Sequence, residues 1–275
     1  MLSQNPNVKF SGIGGRKMID GGLNSIENME KMAVMGFVEV IRHLGFFHNL
    51  TKRVLDEIDN CQPSQIILID YPGFNLRLAK KIKGHFNIPI TYYISPQIWA
   101  WKENRIEIIR KYVDQMLVIF PFEENWYRKR GLHAKFVGHP IFDEWQPTSK
   151  KELCKQLNIK PEQPIITLYP GSRNQEVNRH LPILLKTADK LRRNDLSIQF
   201  MLGVAQNVNI EKIGIPSWIQ IEYNHPQKVL ECADLALIAS GTSTLEAAVF
   251  GIPMIIIYKM DPISWLVSRA LVNVP

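Results

Sequence analysis

The sequence is poor in cysteine, with only three among its 275 residues, at Cys61, Cys154 and Cys232. An odd number of distant cysteines excludes a disulfide framework and a cysteine metal cluster, and it is typical of proteins from a reducing cytoplasm. No apolar run has the length that spans a bilayer, and the first ten residues lack the apolar core of a secretory signal. We therefore expect a cytoplasmic protein.

Two glycine-rich phosphate motifs are also missing. No G-x-G-x-x-G follows a predicted strand, and the closest string, GIGG at 12–15, leads into RKMIDGG, which we interpret as lacking a crossover helix. The G-x-x-x-x-G-K-[ST] loop is absent. These absences weaken a dinucleotide-binding interpretation and remove the main support for a kinase or ATPase. With no visible metal-ligand cluster, we expect neither a metal nor another cofactor.

The charge points to an anionic partner. The formal net charge is +7 and the isoelectric point is near 9.2, which favours phosphates, nucleotides, nucleic acid or anionic lipid without choosing among them.

Short β-rich runs alternate with helical stretches through both halves of the chain, which predicts parallel sheets. The segment DEWQPTSKK (143–151) loses this periodicity, so we place the boundary between domains 1–143 and 144–275 there. The expected fold is α/β, with two doubly wound Rossmann-like domains facing a cleft. The predicted strands lie at 65–70, 88–95, 115–120, 135–138, 165–170, 197–203, 219–223, 234–239 and 253–258.

The turn PGSR follows the strand predicted at 165–170. Gly171 permits close approach of a ligand to the backbone. The helix that begins after Ser172 points its first N–H groups and its positive dipole end at such a ligand, and Arg173 adds a fork of donors suited to phosphate. The turn is either an anion site or simply a tight turn with a surface arginine.

A second strand end reads ASGTSTLE. Gly241 permits a tight turn, and Ser240 or Thr242 is placed to cap the following helix. Glu246, three residues after Ser243, is either part of a capping box or a carboxylate that binds the hydroxyls of a ribose.

The first half offers candidates for chemistry. Asp70 ends a strand and is either a general base or a cap of the next helix. Gln97 and Trp99 lie in another loop after a strand, where aromatic rings form either core or a platform for a sugar or acyl chain. His139 precedes the predicted hinge, where a lone histidine is usually structural.

An apolar stretch at 32–47 ends in Phe46 and Phe47. Such stretches are usually core helices, but the nearby cations Arg42, Lys52 and Arg53 also suit an interfacial helix on an anionic bilayer.

Seven stretches stand out along the chain: GIGG, MGFVEV, IDYPGFNLRLAK, YYISPQIWAW, VGHP, PGSRNQEV and SGTSTLEAAVFGIPMIIIYKM. In their order and spacing they resemble the lipid-A-disaccharide synthase family of B-type, inverting glycosyltransferases.

The resemblance implies transfer of 2,3-diacylglucosamine from UDP-2,3-diacylglucosamine to 2,3-diacylglucosamine 1-phosphate. The products are the β-1,6-linked lipid A disaccharide 1-phosphate and UDP. It implies a bacterial protein, peripheral on the inner face of the inner membrane, whose partners are both substrates and an anionic membrane surface but no nucleic acid.

The resemblance also assigns residue roles. Asp70 becomes the base and Arg173 takes up charge on the departing diphosphate. The nucleotide site comprises Gly171, Ser172, Arg173, Gly241, Thr242 and Glu246, and the acceptor and lipid side comprises Gln97, Trp99, His139, Phe46 and Phe47.

Two departures from the family lead us to expect a first strand with its glycine-rich turn, and a C-terminal tail, to be missing. The alternatives are another UDP-sugar transferase or an epimerase of the same layout, or an inactive peripheral membrane-binding protein.

Overall fold

The computed structural model describes residues 8–29, 44–144, 146–206 and 208–260. Within these residues the chain divides into two units, of which the first ends at Gly138 and the second begins at His139. The division therefore lies a few residues before the predicted boundary at 143–144. Each unit has a hydrophobic core formed from its own residues.

The first unit contains a parallel sheet with the strand order β3-β4-β5-β6. The inner strand β4 is almost wholly buried, as expected for a parallel sheet flanked by helices, whereas the outer strand β3 leaves Ile67 and Ile69 exposed. The elements are β1 Phe10–Gly14, α1 Arg16–Asp20, β2 Leu23–Asn28, α2 Leu44–Cys61, β3 Ile66–Ile69, α3 Pro72–His85, β4 Ile90–Tyr93, a 3-10 helix Glu103–Arg105, α4 Ile106–Tyr112, β5 Gln115–Val118, α5 Pro121–Arg128 and β6 Ala134–Phe136.

The interpretation of the GIGG segment was wrong. The segment lies at the end of strand β1, which pairs in parallel with β2. The short helix α1 connects the two strands. Periodicity missed this helix because it has only five residues and buries none of them. The structure also explains a glycine: a Cβ at Gly14 would overlap the side chain of Leu23 on the neighbouring strand.

The second unit contains a five-stranded parallel sheet with the order β11-β10-β7-β8-β9. The chain first winds from β7 towards β9 and then returns to the other side of β7, which is the doubly wound arrangement. The elements are α6 Ile141–Glu144, α7 Lys150–Leu157, β7 Ile165–Tyr169, α8 Asn174–Asn194, β8 Gln199–Gly203, β9 Ile219–Glu222, α9 Pro226–Glu231, β10 Leu235–Ala239, α10 Thr242–Val249 and β11 Met254–Ile257.

Helix α8 shows how the core of the second unit fixes its loops. Its buried residues Val177, Leu181, Leu184 and Ala188 recur with the helical period and pack into a core shared with β7. Strand β7 is buried along its whole length. The turn that connects the strand to the helix is thus held at both ends. The predicted α/β fold class and all nine predicted strands are confirmed.

Candidate functional site

The two turns selected from the sequence lie at the carboxyl ends of neighbouring strands. Strand β7 ends at Tyr169 and β10 ends at Ala239, and the two strands pair directly. The order of the sheet reverses between them, and ligands of open α/β sheets bind outside the carboxyl ends of the strands at such a switch point. The structure thus brings together Gly171, Ser172, Arg173, Gly241, Thr242 and Glu246 at one edge of one sheet.

The turn after β7 has a conformation that requires glycine. Gly171 has a φ of +117°, and a Cβ there would lie 2.8 Å from a carboxyl oxygen of Glu176. Arg173 is the residue before α8, and its side chain is 78% exposed. The first N–H groups of a helix have no partner within the helix, so the turn ends beside donors that the helix itself does not use.

Glu176, in the first turn of α8, occupies the donors of this turn. One carboxyl oxygen lies 2.9 Å from Nη1 of Arg173, and the other accepts from the N–H of Ser172 at 3.3 Å. A carboxylate therefore lies where the sequence predicts a bound anion. The sequence analysis does not include Glu176 in the site, although its position three residues after Arg173 is the spacing by which a first-turn glutamate reaches back to the start of a helix.

The turn after β10 corrects the capping interpretation. Helix α10 begins at Thr242 after Gly241, and no side chain caps it. Neither Ser240 nor Thr242 is the cap, and Glu246, the fifth residue of the helix, lies too far along it for a capping box. Among the described residues none donates a hydrogen bond to the carboxyl group of the half-buried Glu246, and burial raises the pKa of that group.

Asp70 follows β3 in strained backbone. Both Asp70 and Tyr71 have positive φ angles, 44° and 45°, a conformation that costs energy and is concentrated at functional sites. The carbonyl oxygen of Asp70 accepts from Oη of Tyr92 at 2.6 Å and from Nδ2 of Asn75 at 2.7 Å. These bonds hold the strained residue in place.

The side chain of Asp70 does not cap α3. The residue before that helix is Tyr71, which makes no side-chain cap, and Pro72 is the first helical residue. Asp70 remains solvent-accessible, while partial burial of its carboxyl group raises the pKa. A raised pKa makes the ionised carboxyl group a stronger base for accepting a proton.

The loop after β4 contains the other two candidates. Gln97 is exposed, whereas Trp99 is half-buried and its Nε1 donates to Oε1 of Glu123 at 3.3 Å. Glu123 is 1% exposed and also accepts from the N–H of Phe120 after β5. Its burial raises the pKa of its carboxyl group. Glu123, which we had not selected, thus joins the loops after β4 and β5 and fixes the indole.

Phe46 and Phe47, which the sequence analysis assigns to the lipid side, both pack against the core of the first unit. Phe47 is 8% exposed, and its ring lies 5.8 Å from that of Phe74 in the core. The prediction that Phe47 contacts lipid is therefore wrong, because its ring is already covered by protein. Phe46 is half-buried against the same core. Residues 32–43 of the apolar stretch lie outside the described residues.

His139 begins the second unit and is half-buried. Its Nδ1 accepts from the N–H of Ile141 at 3.1 Å, which is a local structural contact. In the described ranges no group of three His, Cys, Asp or Glu side chains is arranged to hold a metal ion. No described helix is long and apolar enough to cross a membrane.

A family model described as lipid-A-disaccharide synthetase matches residues 1–275. The chain belongs to the lipid-A-disaccharide synthase family. A lipid-A-disaccharide synthase of Coxiella burnetii (strain Dugway 5J108-111) is 38% identical over 276 residues, covering 99% of this chain and 73% of the relative. One of Geobacter sulfurreducens is 36% identical, covering 99% and 72%. As a member of this family the chain is a glycosyltransferase of lipid A biosynthesis.

Solved structures of other enzymes share the fold of this lipid-A-disaccharide synthase family member. A UDP-GlcNAc 2-epimerase from Neisseria meningitidis bound to UDP-GlcNAc has a TM-score of 0.61 at 11% identity, covering 97% of this chain and 79% of the epimerase. The glycosyltransferase of kitacinnamycin has a TM-score of 0.56 at 10% identity, covering 95% and 84%. At such identities the likeness shows the B-type two-domain α/β fold alone.

Proposed function

We propose that the protein transfers 2,3-diacylglucosamine from UDP-2,3-diacylglucosamine to the 6-hydroxyl of 2,3-diacylglucosamine 1-phosphate. A bond forms between the acceptor oxygen and the anomeric carbon, and the bond from that carbon to the diphosphate breaks with inversion. The acceptor proton passes to a base, and UDP leaves. The observation that carries the nucleotide half of this proposal is the pair of turns at the switch point between β7 and β10.

The diphosphate binds at the PGSR turn. The guanidinium of Arg173 and the N–H of Ser172 are the donors, and the start of α8 adds its positive dipole end. Glu176 now holds both donors, so diphosphate binding exchanges one anion for another. Arg173 stabilises the charge that develops on the leaving group as the glycosidic bond breaks.

The ribose binds beside α10. The carboxylate of Glu246 has no donor among the described residues, and two ribose hydroxyls supply the missing hydrogen bonds. Gly241 and Thr242 bring the start of the helix close to the nucleotide.

Asp70 is the base for the acceptor hydroxyl. Its raised pKa, its accessibility and the strained backbone at 70–71 support this role. Gln97 and Trp99, in the loop after β4 of the same unit, bind the acceptor. The indole of Trp99, fixed by Glu123, offers an apolar face to a sugar or acyl chain.

Because both proposed substrates carry acyl chains, the proposal includes a location on the anionic inner face of the bacterial inner membrane. Its formal charge of +7 supports this location. Phe46 remains the candidate lipid contact, since Phe47 belongs to the core. The proposal requires sedimentation with anionic vesicles in preference to neutral ones, and equal sedimentation with both would contradict it.

The reaction is tested with the purified protein and UDP-2,3-diacylglucosamine, with and without the acceptor monosaccharide phosphate. We expect UDP release to require the acceptor and mass spectrometry to detect the disaccharide phosphate. Release without acceptor, or an isomerised UDP-sugar as the product, would contradict the proposal, and the second result would match an epimerase.

A further inference from the structure

A buried histidine lies under the proposed diphosphate turn. His180, in the second turn of α8, is 1% exposed. Its Nδ1 lies 3.0 Å from the carbonyl oxygen of Pro170, the residue immediately before Gly171. Neither the proposed chemistry nor the sequence analysis uses this side chain. A buried polar group with such a partner holds the backbone to which it is bonded.

The contact of the second ring nitrogen of His180 determines which of the two nitrogens carries the proton. Nε2 of His180 lies 3.0 Å from the backbone nitrogen of Lys259, which follows β11. A backbone N–H only donates, so Nε2 is the acceptor and carries no proton. The proton of the neutral ring is therefore on Nδ1, which donates to the Pro170 carbonyl. The ring also lies 5.6 Å from that of Tyr258.

These two bonds join chain segments on both sides of β10. Strands β7 and β11 flank β10 in the sheet, and His180 connects the residue after β7 to a residue beyond β11. The N–H of Ser240 donates to the carbonyl of Ile257 at 2.9 Å, which ties the end of β10 to β11. All three strand ends at the proposed nucleotide site are thus linked through hydrogen bonds.

We propose that His180 is a positioning residue for nucleotide binding. By holding the Pro170 carbonyl, the neutral ring sets the direction of the peptide groups at Gly171 and Ser172 and the starting point of the Arg173 side chain. This inference rests on the proposed function, because it takes the PGSR turn to be the diphosphate site. The ring acts through the turn and does not touch the nucleotide.

The first test is UDP affinity measured by calorimetry on the full chain with His180→Phe, which keeps an aromatic ring but removes both hydrogen bonds. We expect the dissociation constant to rise about tenfold, and His180→Gln, which retains a donor and an acceptor, to recover part of the affinity. Thr167→Val is the matched control. Thr167 is fully buried on β7, and its hydroxyl donates to the Val229 carbonyl at 2.7 Å, so this variant loses a buried bond without affecting UDP.

The second test asks whether the effect passes through the turn. In an Arg173→Ala background, His180→Phe should raise the UDP dissociation constant by at most about threefold. In a Glu246→Ala background it should still raise that constant about tenfold. Equal losses in the two backgrounds would overturn the proposal, because they would indicate a general structural role.

Lys259→Pro provides a variant outside the core, in case His180→Phe does not fold. It removes the N–H that bonds to Nε2 at an exposed position, and we expect UDP affinity to fall severalfold. Unchanged UDP affinity in a folded His180→Phe or Lys259→Pro protein would refute the role of His180. If the unmodified protein failed to bind UDP, the proposed function itself would fail instead.

Discussion

The loops at the carboxyl ends of the two sheets are held in different ways. In the second unit, glycine supplies the unusual conformation at Gly171, and the donors of the turn are taken up by a single exchangeable carboxylate, Glu176. In the first unit, non-glycine residues adopt positive φ at Asp70, Tyr71 and Ile94. In the second unit, displacement of Glu176 makes the donors of the turn available to another anion. In the first unit, the backbone holds the carboxylate of Asp70, whose pKa is raised, in a strained position. The difference suits the proposed division between leaving-group binding at Arg173 and proton transfer at Asp70.

The largest effect should come from Asp70→Asn. The amide preserves shape but cannot take the acceptor proton, so we expect transfer to fall by about 10²–10⁴-fold with UDP affinity unchanged. Steady-state rates and calorimetry measure the two quantities. Asp114→Asn is the control, because Asp114 pairs with Lys83 at 2.7 Å in a structural role. Parallel losses of rate and UDP affinity in Asp70→Asn would erase the contrast between the two units.

Arg173→Ala should follow. Loss of one charge-stabilising donor at the leaving group costs about 2–4 kcal/mol of transition-state stabilisation, measured as kcat/KM. The matched control is Arg193→Ala near the end of the same helix. Arg193 is 76% exposed and pairs with Asp189 at 2.8 Å, much as Arg173 pairs with Glu176. Similar kinetics for the two alanine variants would assign Arg173 to the surface.

Glu246→Ala sharpens the nucleotide side. Removing hydrogen bonds from a charged acceptor to the ribose should weaken UDP binding by about 1.5–3 kcal/mol. The melting temperature should change little, since Glu246 caps no helix. A large fall in melting temperature with unchanged UDP affinity would reverse this assignment.

The smallest effect concerns the buried carboxyl of Glu123. Because burial raises its pKa, the folded state binds its proton more tightly than the unfolded state. The stabilisation is complete below the unfolded pKa of about 4.3 and is lost as pH rises through the folded value. Glu123→Gln, whose side chain does not titrate, should remove this dependence from thermal unfolding measured across that window. An identical pH profile in both proteins would contradict the burial argument.

The sequence predicts the elements that depend on apolar period, and it fails where function depends on partners distant along the chain. All nine predicted strands form because the strands of parallel sheets are continuous apolar runs, although the outer strands β3 and β11 each leave two isoleucines exposed. The sequence pattern does not reveal strands β1 and β2, because the helix that connects them has no buried face and so no apolar period. The capping interpretations of Asp70 and Glu246 failed because the helices begin later or earlier than spacing suggested.

The residues that organise the candidate sites were invisible for a different reason. His180 contacts Pro170 and Lys259, which lie 10 and 79 residues away along the chain, and only the fold brings them together. Glu123 accepts a hydrogen bond from Trp99 in the same way, because the fold brings the loops after the neighbouring strands β4 and β5 together. Phe47 was misassigned because an apolar helical stretch has the same composition in a core as at a membrane.

UDP is proposed to bind at the switch point of the second sheet, between β7 and β10. Hydrogen exchange of the backbone amides with and without UDP tests it most directly, since bound phosphate and ribose slow the exchange of the donors they engage. We expect slower exchange in 171–176 and 240–246 and little change in the loop at 94–101 when UDP is bound. Protection confined to 94–101, with both turns of the second unit unaffected, would contradict it.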